Sequence, residues 1–147
     1  DNVSVYNTMG NVYDQLNQKE REAGNNEKAD EYFNLAFDYF NQALAKDPKN
    51  FDASYSQGAL YYNKAASMTA KLNALSNDFS PAGTKKYNAL KAEMDGFFKQ
   101  ALPYFLKAEE LDPKDVNTMI ALKEIYARSG DFEKSNAYKA KMEAAGN

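Results

Sequence analysis

The sequence predicts an all-α chain of about three antiparallel helix pairs, two of them with lengthened hairpins. Three observations predict it. Tyr39-Phe40-Asn41-Gln42-Ala43-Leu44-Ala45-Lys46-Asp47-Pro48-Lys49 aligns without gaps on Tyr104-Phe105-Leu106-Lys107-Ala108-Glu109-Glu110-Leu111-Asp112-Pro113-Lys114. A second pattern, Tyr6-x-x-Met9-Gly10-x-x-Tyr13, returns as Ser54-x-x-Gln57-Gly58-x-x-Tyr61 and as Met119-x-x-Leu122-Lys123-x-x-Tyr126. Good helix formers fill the stretches between, while only 4 Pro and 7 Gly are present, too few for a loop-rich β fold.

Each element follows from its local chemistry. The aligned segments are amphipathic helix ends stopped by Asp-Pro, because proline lacks an N–H and restricts the residue before it. The Gly10 and Gly58 patterns are the first helices, where a small residue near an aromatic lets two helices approach closely. Gly24-Asn25-Asn26 reads as the turn of the first hairpin, good left-handed C-cap chemistry. Tyr61, Ala65, Met68, Leu72 and Leu75 then mark an outgoing arm helix. Tyr87, Leu90, Met94, Phe97, Ala101, Tyr104 and Ala108 mark its return, at the heptad spacing of two antiparallel helices. Ser76 to Gly83 reads as the tip loop. Gly96 and Pro103 disturb the return helix. A bend near Lys99 to Pro103 is expected; a break at Asp95-Gly96 is the competing picture.

This order of motifs resembles the tetratricopeptide repeat: an aromatic, Leu-Gly, Tyr, Ala-x-x-x-Phe, then Pro. The first unit supplies Tyr6, Met9-Gly10, Tyr13, Ala36-x-x-x-Phe40 and Pro48. The second supplies Gly58, Tyr61, Ala101-x-x-x-Phe105 and Pro113, with Ser54 and Gln57 departing. The third supplies Met119, Leu122, Tyr126 and Gly130-Asp131-Phe132, with Lys123, Ser135 and Lys139 departing. The resemblance implies a right-handed superhelical solenoid forming one domain over residues 1–147. Its units run from about 3 to 48, 51 to 113 and 116 to 145, with a long hairpin arm at 63–97. The family period is about 34 residues, so roughly 14 residues are added within the first unit and roughly 31 within the second. Polar Ser135 and Lys139 suit the outer face of a terminal cap. Asp1-Asn2 precede Val3 as Lys114-Asp115 precede Val116, so the chain is expected to come from the C-terminal part of a longer bacterial repeat protein.

The resemblance also implies a function. In this family the first helices of successive units line a concave groove that holds peptides. The corresponding face here carries Asn7, Asn11 and Asp14, then Tyr55, Ala59, Tyr62 and Asn63, then Asn117, Ile120, Glu124 and Arg128. Asparagine can bond a peptide backbone as donor and acceptor, and tyrosine offers rigid area with a polar tip. The alternative is an ordinary solvated face. Some relatives clamp a C-terminal carboxylate with Lys, Asn and Arg. Here Asn11 alone matches, while Asn7, Ser56, Asn117 and Ala121 hold other clamp places, so a chaperone-tail receptor of that type is not expected. Phe79 at the arm tip either folds back to close the hairpin, the expected state, or contacts a partner.

Composition limits the chemistry. There is no Cys and no His, hence no thiol chemistry, no His base and no standard zinc site. Asp30-Glu31 and Glu109-Glu110 read as solvated faces and not as metal or acid–base centres. Asp47-Pro48-Lys49-Asn50 is a repeat-linking turn without calcium-loop spacing. No Gly-rich phosphate loop occurs. No catalytic residue, metal or cofactor is expected, and the chain reads as a non-enzymatic protein-interaction scaffold. Self-association as a homodimer, or regulation within a larger protein, is the alternative. A net charge of -3 argues against a nucleic-acid partner, and no apolar run is long enough to span a bilayer. Abundant Asn and an excess of Lys over Arg lean toward a bacterial periplasmic or envelope protein.

Overall fold

The computed structural model describes residues 1–146; Asn147, the last residue of the expected domain, lies outside them. Seven helices form among the described residues: α1 Asn2–Glu22, α2 Asn26–Lys46, α3 Phe51–Ala66, α4 Thr69–Leu75, α5 Pro81–Leu111, α6 Val116–Arg128 and α7 Phe132–Ala144. Side-chain caps satisfy the free amides at most of their starts. Asp1 accepts from the Ser4 amide at 2.8 Å, Asn50 from Ala53 at 2.9 Å, and Asp115 from Thr118 at 2.8 Å. Gly24, with φ of 84°, turns the chain from α1 into α2, a backbone state open chiefly to glycine.

The repeat seen in sequence is repeated in geometry. Asp47 and Asp112 cap α2 and α5 with nearly the same backbone angles, φ -139° and -142°. Each carboxylate accepts from the amide two residues on, at 3.2 Å. Helices α1 and α2 pack as one pair, α3 and α5 as a second with α4 against α5, and α6 and α7 as a third; α2 meets α3 and α5 meets α6. Close approach within the first two pairs rests on glycine. A Cβ on Gly10 would lie 2.5 Å from the Phe40 ring, and one on Gly58 3.0 Å from Phe105.

Two clusters make the core. The first gathers Phe33, Ala36, Phe40, Ala43, Ala53 and Leu60. The second runs from Ala65 and Leu72 through Met94, Phe98, Ala101 and Phe105 to Leu122, Ile125 and Tyr138. Tyr61 packs against both. Its ring meets Phe33 edge-on at 5.1 Å and stacks on Tyr104 at 5.9 Å, while Phe37 meets Tyr104 at 5.5 Å. Each such aromatic contact contributes on the order of 1 kcal/mol beyond area burial. Gln57, a departure from the family pattern, is buried yet satisfied, donating to Asn41 Oδ1 at 2.7 Å.

Several expectations are corrected. The outgoing arm helix is not continuous: α3 ends at Ala66 and α4 begins at Thr69. At the joint the Ser67 hydroxyl donates to the Lys64 carbonyl at 2.6 Å, and such local bonds compete with the helical ladder. Of the two pictures of the return helix, the competing one falls: α5 has no break at Asp95-Gly96 and runs on through Pro103. Its deepest arm residues are Met94 and Phe98, so the buried stripe passes through Phe98 where the heptad reading placed Phe97. The tip loop is shorter than Ser76 to Gly83, because Ser80 caps α5 and Pro81 opens it, where a missing N–H does no harm. In α7, Ser135 is buried and bonds the Lys123 carbonyl at 2.9 Å, so it packs inward and is not part of a polar outer face. Lys139 is exposed.

Candidate partner-binding site

The predicted residues lie on α1, α3 and α6, the first helices of the three pairs. One group comes together around Phe98. The Tyr62 ring meets Phe98 edge-on at 5.2 Å. The Arg128 guanidinium lies 4.5 Å from the centre of the same ring, a cation–π contact, and its Nε donates to Glu124 Oε1 at 3.0 Å. Burial raises the Tyr62 phenol above its ordinary pKa; the Glu124 charge adds to the rise and Arg128 opposes it. Tyr55 sits further along α3, edge-on to Phe105 at 5.5 Å and stacked on Phe51 at 5.8 Å. Burial raises its phenol too, with the Asp115 charge second. Both hydroxyls therefore stay protonated and can donate. Beside this group, Phe98, Leu102 and Ile125 line a cavity of about 410 Å³ that Asp95, Lys99 and Arg128 also border.

The other predicted residues behave differently. Asn7 donates to Asn50 Oδ1 at 3.0 Å and so braces the start of α3, while its own Oδ1 is buried without a partner among the described residues. Asp14 accepts from Asn17 at 3.2 Å and Gln18 at 3.0 Å within α1; burial, only partly offset by those bonds, raises its pKa. Asn11, Asn63 and Asn117 are exposed. No hydrogen bond among the described residues joins α1's three candidates to those of α3 or α6. Phe79 does not fold back: it is 86% exposed. Asp78 accepts from the Ser80 amide and hydroxyl, and its carboxylate lies where a Cβ on Gly83 would displace it.

A second cluster was not read from the sequence. Arg21 Nη2 donates to Asn17 Oδ1 at 3.0 Å and to Asp30 Oδ1 at 2.7 Å. Lys64 reaches the same Asp30 oxygen at 3.1 Å, with its ammonium 4.4 Å from the Phe97 ring centre. Burial would raise the Asp30 carboxyl, but the bonds from Arg21 and Lys64 outweigh it and hold it below its ordinary value. Asp30 is thus not the plain solvated carboxylate expected. Glu109 likewise accepts from the Tyr138 hydroxyl at 2.9 Å. A signal for the Arg21 cluster was available. The chain has 18 basic residues, of which only Arg21 and Arg128 are arginine, and both sit where a planar fork is paired and stacked or buried.

Cavities of about 380 and 370 Å³ flank Arg21 and Lys64. Among the described residues no group of three acidic side chains gathers as a metal site, and no helix is long and apolar enough to cross a membrane.

No family model and no curated protein matches the sequence. Among solved structures the chain is similar to "MamA D159K mutant 1", at 14% identity and a TM-score of 0.34, over 92% of this chain and 96% of that one. A likeness at that level identifies neither a family nor an activity. The all-helical, pairwise-packed architecture stands on the chain's own geometry.

Proposed function

We propose that this chain is a non-catalytic docking module of tetratricopeptide type, a right-handed solenoid that holds a protein or peptide partner on the face shared by α3 and α6. The observation that carries the reading is the group of Tyr62, Glu124 and Arg128 around Phe98. It sets a half-exposed tyrosine and a paired arginine around the ring of Phe98, which lines an apolar cavity, the residue types that dominate protein interfaces. The repeat in both sequence and capping geometry supports the solenoid, in units of about 3–48, 51–113 and 116–145.

A second reading is favoured by Phe79, a large apolar side chain 86% exposed on a braced turn. There the arm tip makes the contact, with a partner or with a second copy. Photo-crosslinking residues placed at Ile120, Asn63 and Phe79 separate the two. Crosslinks from 63 and 120 to one partner support the face; crosslinks from 79 alone move the contact to the arm, and light scattering then tells a homodimer from a foreign partner. Crosslinks from none of the three sink the docking reading.

A further inference from the structure

We infer that the junction of the two lengthened hairpins is a binding site for a single oxyanion, a carboxylate or a phosphate, held by Arg21 and Lys64. This goes beyond the docking face, since Arg21 belongs to the end of α1 and Lys64 to the base of the arm. The guanidinium has five N–H donors, and only Nη2 donates within the chain. Its Nε is buried and meets no acceptor among the described residues. A buried charged donor left without an acceptor is costly and calls for a partner. Both cations are largely shielded, with side chains 11% and 18% exposed.

The cavities on either side are lined by polar and charged side chains. The first is lined by Arg21, Lys64 and Lys71 against Asp30 and Glu93. The second is lined by Arg21 and Lys64 against Glu22 alone, with Asn17, Gln18, Asn63 and Ser67 supplying neutral polar groups. Cations outnumber carboxylates in each lining, while Asp30 pairs with both Arg21 and Lys64 from beside the second. Glu22, and Asp14 about two turns before it on α1, limit the ligand to one anionic group. Phe97 and Phe33 cover Lys64, and lowered local dielectric strengthens what an anion gains there.

The chain's two arginines make the test direct, because only Arg21 and Arg128 give side-chain Nε–Hε signals. The full chain is titrated at constant ionic strength with sodium phosphate, with sodium acetate and with sodium chloride while both signals are followed by NMR. The Arg21 signal is expected to shift and saturate with phosphate or acetate, whichever the site takes, and Arg128 to stay near its place. Lys64→Gln should weaken the saturating anion about tenfold, the loss of one charge-assisted bond, and Lys64→Arg should restore it. Arg21 shifts that fail to saturate, that match chloride, or that survive Lys64→Gln unchanged overturn the site. Should Lys64→Gln unfold, seen as collapse of the Arg128 signal, the wild-type titration and Lys64→Arg decide alone. The crosslinking result is independent of this outcome.

Discussion

The Phe40 ring occupies the space that any Cβ at Gly10 would need, with its Cε1 atom 2.5 Å from that point. The two positions are therefore one fit, repeated as Gly58 with Phe105 at 3.0 Å. Gly96 lies in a helix interior with open space around it.

The same substitution should act with opposite sign at these positions. Gly10→Ala is expected to destabilise by about 1–3 kcal/mol through overpacking, and Gly58→Ala by less. Gly96→Ala should stabilise by about 0.5–1 kcal/mol through helix propensity. Urea unfolding followed by circular dichroism measures all three, and a destabilised Gly96→Ala would contradict the open site.

Asp30 has its carboxyl held below the ordinary value of 3.8. A lowered folded pKa stabilises the fold above the unfolded pKa, and the gain is lost as pH falls through the folded value. Asp30→Asn should accordingly lose stability at pH 7, by at most about 1 kcal/mol given the half-exposed carboxylate. That deficit should fade as the pH drops below about 3.8. Thermal melts at a series of pH values test it, and a deficit independent of pH would show that the ion pairs are not its origin.

Asp14 has the reverse sign. Its folded pKa is raised, by burial first, so the ionised form weighs against folding at neutral pH and the penalty is relieved as pH falls through the folded value. Relative to wild type, Asp14→Asn should be more stable at pH 7 than at pH near 3.5, by up to about 1 kcal/mol of difference. Paired melts at the two pH values give the sign directly.

Tyr138 links the last helix to α5 through Glu109, whose other oxygen lies 3.6 Å from Lys141. Burial and that carboxylate both push the phenol pKa well up, so the hydroxyl remains a donor throughout the physiological range. Tyr138→Phe should cost about 1.5–3 kcal/mol, the worth of a bond to a charged group, with faster amide exchange in α7. An unchanged α7 would place its anchoring in Ser135 and in the stacking of the Tyr138 ring on Tyr126 at 5.9 Å.

What the sequence made legible follows from how local each cause is. Asp-Pro stops, the Gly24 turn and the Ala36/Phe40 and Ala101/Phe105 pairs depend on residues a few positions apart, and their periodic spacing located them. At the break the Ser67 hydroxyl bonds a backbone carbonyl, a local contact that hydrophobic periodicity does not register. Arg21, Asp30 and Lys64 come from three helices, so no spacing rule joins them. Tyr62, Glu124 and Arg128 were named by position on a helix face, but Phe98, the ring that Tyr62 and Arg128 share, sits on α5, where the heptad reading named Phe97.

Helix α5 is one unbroken rod of 31 residues, about 46 Å long at 1.5 Å per residue. Its lower half carries Phe98, Ala101 and Phe105 inside the packed repeats, and its upper half ends beside Phe79. The outgoing side of the arm is jointed at Ser67–Met68, so α5 alone joins the arm tip and the Phe98 seat of Tyr62 and Arg128 in one continuous helix.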